Sequence, residues 1–369
     1  MKKILVIGII PPPFNGQSVA TQYLVDLFKK HHIVHLLKIN PIENRTGQSG
    51  KFSLVRSLQV IKSTIELYFV LKKQRPDFVY IAISCTFFGH VRDLLFYSMI
   101  YIFKSKFIVQ VHSNRFPEMF KNPIKKFTTS ILLRNTNKVI ISSKLLYDPV
   151  KNHLPYEKIV IIGNTIRKEL LLSAEEINRK LDIYETKVNL NILYLSNLIK
   201  EKGYFDLLKC AAILRDMNLN LKFTFAGPFL SSDQKTEIDT FINDNHLENN
   251  VSFIGPVNNY KQLLIDSDIF VLPTYYSNEA QPIALIEAIN AGMAIISTNV
   301  GSIPDILNDG NNGFIVNPKA PEQIAQNIEN IYLDRKLLKK MGGVSRNIFD
   351  TNYTPNVIEQ KYLDLFDNI

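Results

Sequence analysis

The sequence predicts an α/β protein built from two Rossmann-like halves. Two observations carry that expectation: short apolar runs alternate with longer helical segments, and the alternation is played through twice along the chain. Size agrees with it, because 369 residues with 46% hydrophobic content can fill two cores, and no low-complexity tract interrupts them.

The first apolar run, Ile4 to Ile10, follows Met1-Lys2-Lys3. A charged start before an apolar stretch is also how a secretory signal begins, but Pro11-Pro12-Pro13 ends the run and no small-residue cleavage site follows, so a buried first strand is expected. Further strands in the first half are expected at Phe78 to Ile83, Phe107 to Val111, Val139 to Ile141 and Ile159 to Ile162. The second half repeats the habit at Leu190 to Leu195, Leu221 to Ala226, Val251 to Ile254, Ile269 to Leu272, Ala294 to Ser297 and Phe314 to Val316. Between the halves, Ile162-Gly163-Asn164-Thr165 closes a strand and the polar stretch Ser173 to Lys187 leads to the next, which puts the linker within 165–187. The expected domains are 1–168, 169–350 and a C-terminal segment, 351–369. Its Thr354 to Phe366 reads as an amphipathic helix, with the N-terminal domain as one candidate surface to pack on.

Composition narrows the function. Cys85 and Cys210 stand far apart in apolar surroundings and read as core residues, which fits a reducing cytoplasm. The apolar run Leu94 to Phe103 is ten residues, short of the roughly 17 to 25 a membrane-spanning helix needs. Charge is uneven: residues 1–169 hold 26 Lys+Arg against 9 Asp+Glu, or +17, and residues 170–369 hold 17 against 25, or −8. A basic half suggests an anionic partner, either nucleic acid or the inner face of a membrane, unless it is simply a solvated surface. His31, His32 and His35 flank a strand start and make no metal set, so they read as surface or packing residues. No Gly-x-Ser-x-Gly, His-Glu-x-x-His or Walker sequence occurs, which removes the common hydrolases, zinc proteases and ATPases.

Chemistry concentrates after the strand Ile269 to Leu272, in Tyr275-Tyr276-Ser277-Asn278-Glu279-Ala280-Gln281-Pro282-Ile283-Ala284-Leu285-Ile286-Glu287-Ala288. Pro282 suits the first turn of a helix, and the free N–H groups of such a helix start bind phosphate. Glu279 would stand in the loop and Glu287 inside the helix, placed to hold different parts of one ligand. Carboxylates suit sugar hydroxyls, at about 1.5 to 3 kcal/mol per charge-assisted bond. A second set, Leu195-Ser196-Asn197-Leu198-Ile199-Lys200-Glu201-Lys202-Gly203, leaves the first strand of the second half and would aim Lys202 at a diphosphate. In the first half, Asn15-Gly16-Gln17-Ser18 follows the first strand, and His112 lies just past Phe107 to Val111.

The Glu-x7-Glu run, Lys202-Gly203, Phe225-Ala226-Gly227-Pro228 and Ser297-Thr298-Asn299-Val300-Gly301-Ser302-Ile303-Pro304-Asp305 together resemble the retaining GT-B glycosyltransferases of family 4 (glycosyl transferases group 1), over essentially the whole chain. The resemblance implies two Rossmann-like domains facing across a cleft, with 1–168 on the acceptor side and 169–350 binding a nucleotide sugar. It assigns Glu279 to donor sugar hydroxyls, Glu287 to the ribose, Lys202 to the diphosphate and His112 to the donor sugar. Glu279, His112 and Lys202 are thus the expected catalytic residues. Gly16, Gln17, Asn197, Lys202, Gly227, Pro228, Val257, Glu279, Ala280, Gln281, Pro282, Ile283 and Glu287 are the expected donor-binding residues. Two departures stand out: Asn197 occupies a position where the family often has arginine, and Gly16 stands where a glycine pair is usual.

The expected activity is transfer of a hexose or N-acetylhexosamine, with retention, from a nucleotide diphosphate sugar, UDP by default, to a glycan or lipid-linked acceptor in cell-surface polysaccharide synthesis such as lipopolysaccharide. No cofactor and no metal are expected, since no Asp-x-Asp motif follows a strand at the donor site. Lys29, Lys30, Lys121, Lys125, Lys126 and the pair Phe87-Phe88 are the expected surface for a lipid-linked acceptor, with the protein cytoplasmic and peripheral on the membrane. Three rivals are a nucleotide-sugar 2-epimerase on the same fold, a non-catalytic basic binding protein and an inactive relative. No recognition helix, aromatic RNA signature or zinc pattern supports a nucleic-acid partner.

Overall fold

The structure, a computed structural model, describes residues 1–11, 16–39, 54–217 and 219–369. It divides into two compact units: Met1–Gly163 with Glu359–Ile369, and Asn164–Ile358.

Unit 1 is a six-stranded parallel sheet with helices on both faces. In chain order it runs β1 (Lys3–Gly8), α1 (Gly16–His31), β2 (Ile33–Lys38), α2 (Leu54–Gln74), β3 (Phe78–Ile83), α3 (Phe87–Ile102), β4 (Lys106–Val111), α4 (Pro123–Arg134), β5 (Lys138–Ile141) and β6 (Ile159–Ile161). The strand order is β2-β1-β3-β4-β5-β6. Val- and Ile-rich runs such as Lys3–Gly8 form the inner strands because both faces of a covered parallel sheet are apolar. β2 begins where His31, His32 and His35 flank the expected strand start; it is a sheet-edge strand, only partly buried, with His35 in place of a continuous apolar run.

Side-chain parity separates the two faces of this sheet. Leu5, Ile7, Val79, Ile81, Val109, Val139 and Ile141 pack in one cluster with Leu67 and Leu71 of α2, Phe96 and Ile100 of α3, and Leu132 and Leu133 of α4. On the other face, Phe78 meets Phe366 edge-on at 5.4 Å, and Phe366 meets Phe28 of α1 at 4.7 Å. Right-handed crossovers explain the division: the step from β1 to β2 runs opposite to the steps β2 to β3, β3 to β4 and β4 to β5. The basic residues expected to share one surface are therefore split, with Lys29 and Lys30 on α1 and Lys121, Lys125 and Lys126 beside or on α4. The side chains of Phe87 and Phe88 lie outside the described residues.

Glu359–Ile369 completes the α1 face. Tyr362 donates to the amide oxygen of the buried Gln110 at 3.1 Å, Tyr80 donates to the same oxygen, and the Lys2 ammonium donates to the carbonyl of Phe366. Glu359 sits 3.5 Å from Lys30 and 3.4 Å from His31.

Unit 2 comprises α5 (Ala174–Ile183), β7 (Leu190–Leu195), α6 (Tyr204–Arg215), β8 (Leu221–Ala226), α7 (Ser232–Asp244), β9 (Val251–Gly255), α8 (Lys261–Asp266), β10 (Ile269–Leu272), α9 (Ile283–Asn290), β11 (Ala294–Ser297), β12 (Gly313–Ile315), α10 (Pro321–Leu333) and α11 (Arg335–Asn352). A last helix, α12 (Pro355–Asp367), leads into the segment that belongs to unit 1. The second sheet is also parallel, in the order β12-β11-β10-β7-β8-β9. The polar stretch expected to hold the linker forms α5. Ser173 and Glu176 close a reciprocal capping box at its start, and Ile177 and Tyr184 bury its inner face in the unit 2 core.

Candidate functional site

In the second sheet β7, β8 and β9 succeed one another toward one edge and β10, β11 and β12 toward the other, so the order reverses between the paired strands β7 and β10. The chain leaves these neighbours in opposite directions, which opens a crevice at their carboxyl ends, where open parallel sheets bind ligands. Both motif-bearing loops begin there, one after Leu195 and the other after Leu272.

The loop after β7 closes in a short turn, Lys200–Lys202, and then Gly203 at φ +79°. A Cβ at Gly203 would stand 2.3 Å from the carbonyl oxygen of Pro273, so only glycine meets both the left-handed turn and the close approach of the second loop. Tyr275 N donates to Glu201 O at 2.7 Å and ties the loops together. Across this junction the Lys202 ammonium is paired with the Glu279 carboxylate and lies 5.3 Å from the centre of the Tyr276 ring. The two paired side chains are only 14% and 8% exposed.

From the other side, the stretch after β11 clamps the Glu279 loop. Gly301, at φ +61°, would place a Cβ 2.2 Å from Glu279 O. Ser302 donates to Ala280 O from both its main-chain N, at 2.7 Å, and its hydroxyl, at 2.5 Å. Pro282 is the cap residue of α9, one position earlier than a first-turn proline, and Ile283 opens the helix half-buried. Gln281 is buried, with its side-chain oxygen accepting from Asn164 N at 2.5 Å and its carbonyl accepting from Asn164 Nδ2 at 2.9 Å. These bonds fasten the start of unit 2 to the loop.

Glu287 lies just over one turn into α9, almost fully buried, and accepts a 2.8 Å hydrogen bond from Tyr260. Burial pushes its carboxyl up to about 7, against the opposing pull of that hydrogen bond and of the Arg167 guanidinium. Arg167 stands 5.4 Å from the Tyr260 ring centre and donates to Asn258 O at 3.0 Å. Sequence reasoning missed Arg167 and Tyr260, since neither lies near Glu287 along the chain nor belongs to a spaced motif.

The remaining expected residues of unit 2 frame the same strand ends. Asn197 is exposed, Pro228 accepts from Leu198 N at 3.3 Å, and Gly227 N donates to Gly255 O at 2.8 Å. Val257 is half-buried against the core. In unit 1, His112 follows β4 directly, and its buried Nε2 has no hydrogen-bond partner. Burial holds this imidazole down at about 4, so it is neutral near pH 7. Gly16 is the first residue of α1, and the carbonyl of Gln17 accepts from the Thr21 hydroxyl at 2.9 Å. Asn15 lies outside the described residues. Among the described residues, no group of three or more His, Cys, Asp or Glu side chains is gathered to hold a metal ion.

Comparison with known proteins agrees with this architecture. The profile of the family Glycosyl transferases group 1 matches residues 173–347. The chain is similar to the N-acetyl-alpha-D-glucosaminyl L-malate synthase of Bacillus anthracis, 22% identical over 230 residues, covering 62% of this chain and 58% of that one. It is 25% identical over 238 residues to the capsular polysaccharide biosynthesis glycosyltransferase CapM of Staphylococcus aureus, covering 63% and 61%. The first curated relatives are matched over about half their length. A crystal structure of Anabaena Alr3699/HepE in complex with UDP superposes with a TM-score of 0.76 at 17% identity, over 100% of both chains. With its two parallel Rossmann-like sheets the chain has the GT-B fold of that structure, and its residues 173–347 match the glycosyl transferases group 1 family.

Proposed function

We propose that this chain transfers a hexose or N-acetylhexosamine from a UDP-sugar to a glycan or lipid-linked acceptor, with retention at the anomeric carbon and without a metal ion, in cell-surface polysaccharide synthesis. The observation that carries the proposal is the Lys202–Glu279 pair at the strand-order reversal of the second sheet, a cation for a diphosphate beside a carboxylate for sugar hydroxyls. Lys202 and the free N–H groups opening α9 supply positive charge where the leaving diphosphate gains negative charge. Glu287, backed by Tyr260, takes the ribose hydroxyls. His112, neutral and with Nε2 unpartnered, takes a substrate hydroxyl.

In the proposed step the acceptor oxygen bonds to the anomeric carbon on the face the diphosphate leaves. The bond from that carbon to the phosphate oxygen breaks, and the acceptor proton passes to the departing phosphate oxygen, leaving a nucleoside diphosphate. Positioning and charge stabilisation then carry the rate, with no side-chain nucleophile. The +17 balance of residues 1–169 suits an acceptor held at an anionic membrane surface.

Thermal-shift titration with UDP, GDP and ADP tests the donor site. Stabilisation by UDP that Lys202→Ala and Glu287→Ala both weaken is the expected result. No stabilisation by any of the three nucleotides refutes the reading.

A further inference from the structure

Unit 1 shows solvent an unusual kind of helix. In α2, Leu67 and Leu71 are buried against the sheet, yet Leu58, Ile61, Ile65 and Phe69, recurring every three or four residues, form a second apolar stripe that is 52–65% exposed. In α3, Phe96 and Ile100 are buried while Val91, Leu95 and Ile102 line the outer side at 42–68%. In α4, Leu132 and Leu133 are buried while Ile124, Phe127 and Ile131 face out at 41–74%. Single exposed apolar residues are ordinary, but these three helices hold close to half of the exposed large apolar side chains among the described residues.

The stripes lie side by side. All three helices pack on the same face of the sheet. His90 of α3 bonds Thr128 of α4 at 2.8 Å, and Tyr68 of α2 meets Phe103, just beyond α3, at 5.7 Å. Cations predominate around the stripes. Lys62, Lys72 and Lys73 on α2, Lys104 after α3, and Lys121, Lys126 and Arg134 around α4 are all exposed, against three exposed acids, Glu66 on α2 and Asp77 and Glu118 in the flanking segments.

We propose that the outer faces of α2, α3 and α4 form one surface that docks on an anionic lipid bilayer, with the apolar stripes in the acyl boundary and the flanking cations among the headgroups. Aligned apolar stripes edged by lysine are what an interfacial site requires, and the positive rim selects an anionic membrane over a neutral one. None of these helices is long and apolar enough to cross a membrane, so the contact lies in the plane of the interface. The inference rests on the proposed function only for the acceptor's place in the membrane; the surface itself follows from side-chain exposure.

The test is flotation of the full chain with phosphatidylcholine vesicles, with and without phosphatidylglycerol, at low and high salt. Strong binding to the phosphatidylglycerol vesicles is expected, reduced but not abolished by salt because burial of the stripes is not screened. Phe69→Glu, Ile102→Glu and Phe127→Glu should each weaken it about tenfold or more, the loss expected from one large buried apolar side chain. Unchanged melting and an unchanged UDP response in these variants separate a lost surface from a lost fold or donor site. If a glutamate variant fails to fold, the Ser replacements at the same positions are read instead. Absent binding of the wild type to phosphatidylglycerol vesicles, or equal binding by the variants, overturns the proposal. A lipid-independent dimer that the same substitutions dissolve also overturns it, by assigning the face to a second copy of the chain.

Discussion

Replacing Lys202 by methionine separates two roles of one ion pair. Both partners are mostly buried, at 14% and 8% exposure, and the substitution leaves the Glu279 charge in place without its cation. Breaking such a pair from one side typically costs about 3 to 5 kcal/mol, and the lower end applies here because the site opens to solvent at the strand ends. In a unit of roughly 200 residues, about 3 kcal/mol lowers the melting temperature by about 6 to 12 °C. Glu279→Gln should cost only about 1 kcal/mol, since the longer and more exposed lysine can turn toward water. The double variant removes both charges, so the cycle should show a coupling of about 2 kcal/mol. Melting curves of the four proteins measure it, and UDP titration reads the second role. In the free protein the diphosphate must draw Lys202 away from Glu279, so Glu279→Gln should bind UDP about tenfold more tightly than wild type. A coupling under about 0.5 kcal/mol, or weaker UDP binding by Glu279→Gln, would refute the reasoning.

The Glu287 carboxyl, at about 7 in the fold, lies above its ordinary value of 4.5, so the native state holds this proton more tightly than the unfolded chain and stability is lost as pH rises from 4.5 through 7. Glu287→Gln should therefore match wild type near about pH 5 and exceed it by about 3 kcal/mol near about pH 8, and a pH-independent difference in melting contradicts this. Gly301→Ala should lower melting by several degrees and blunt the UDP response, because its Cβ meets Glu279 O at 2.2 Å. Gly310→Ala, at a similar φ of +73° with nothing within 4 Å, carries only the backbone strain, and equal effects at the two glycines would sink the clash argument.

The strands were legible because their burial is nearly continuous: Phe78–Ile83, Leu190–Leu195 and Ile269–Leu272 stand where their apolar runs begin and end. Partial burial blurs an element's extent, as at Ile33–Lys38, of which the sequence marks only the start. Polarity hides an element, as at α5, where Glu175, Glu176, Arg179 and Lys180 mask a capped helix whose apolar contacts come from few residues. Glu279 and Lys202 were legible because each follows a strand in a recognisable loop. Their pairing was not, nor was the support of Glu287 by Tyr260 and Arg167, since contacts between distant segments leave no local pattern. The second apolar stripe of α2 was open to the same period-3.6 reading as the first, but periodicity alone cannot say which of two apolar faces a sheet will cover.

The packing of Glu359–Ile369 on the α1 face bears on how the protein is made. Lys2 and Phe366 are 364 positions apart, and all of Asn164–Ile358 is translated between Gly163 and the segment that covers Phe28 and Phe78. At about 5 to 20 residues per second, that interval lasts about 10 to 40 s. Throughout it the nascent first unit lacks the segment that covers its aromatic α1 face in the finished fold, so that face is completed only after unit 2 has been translated.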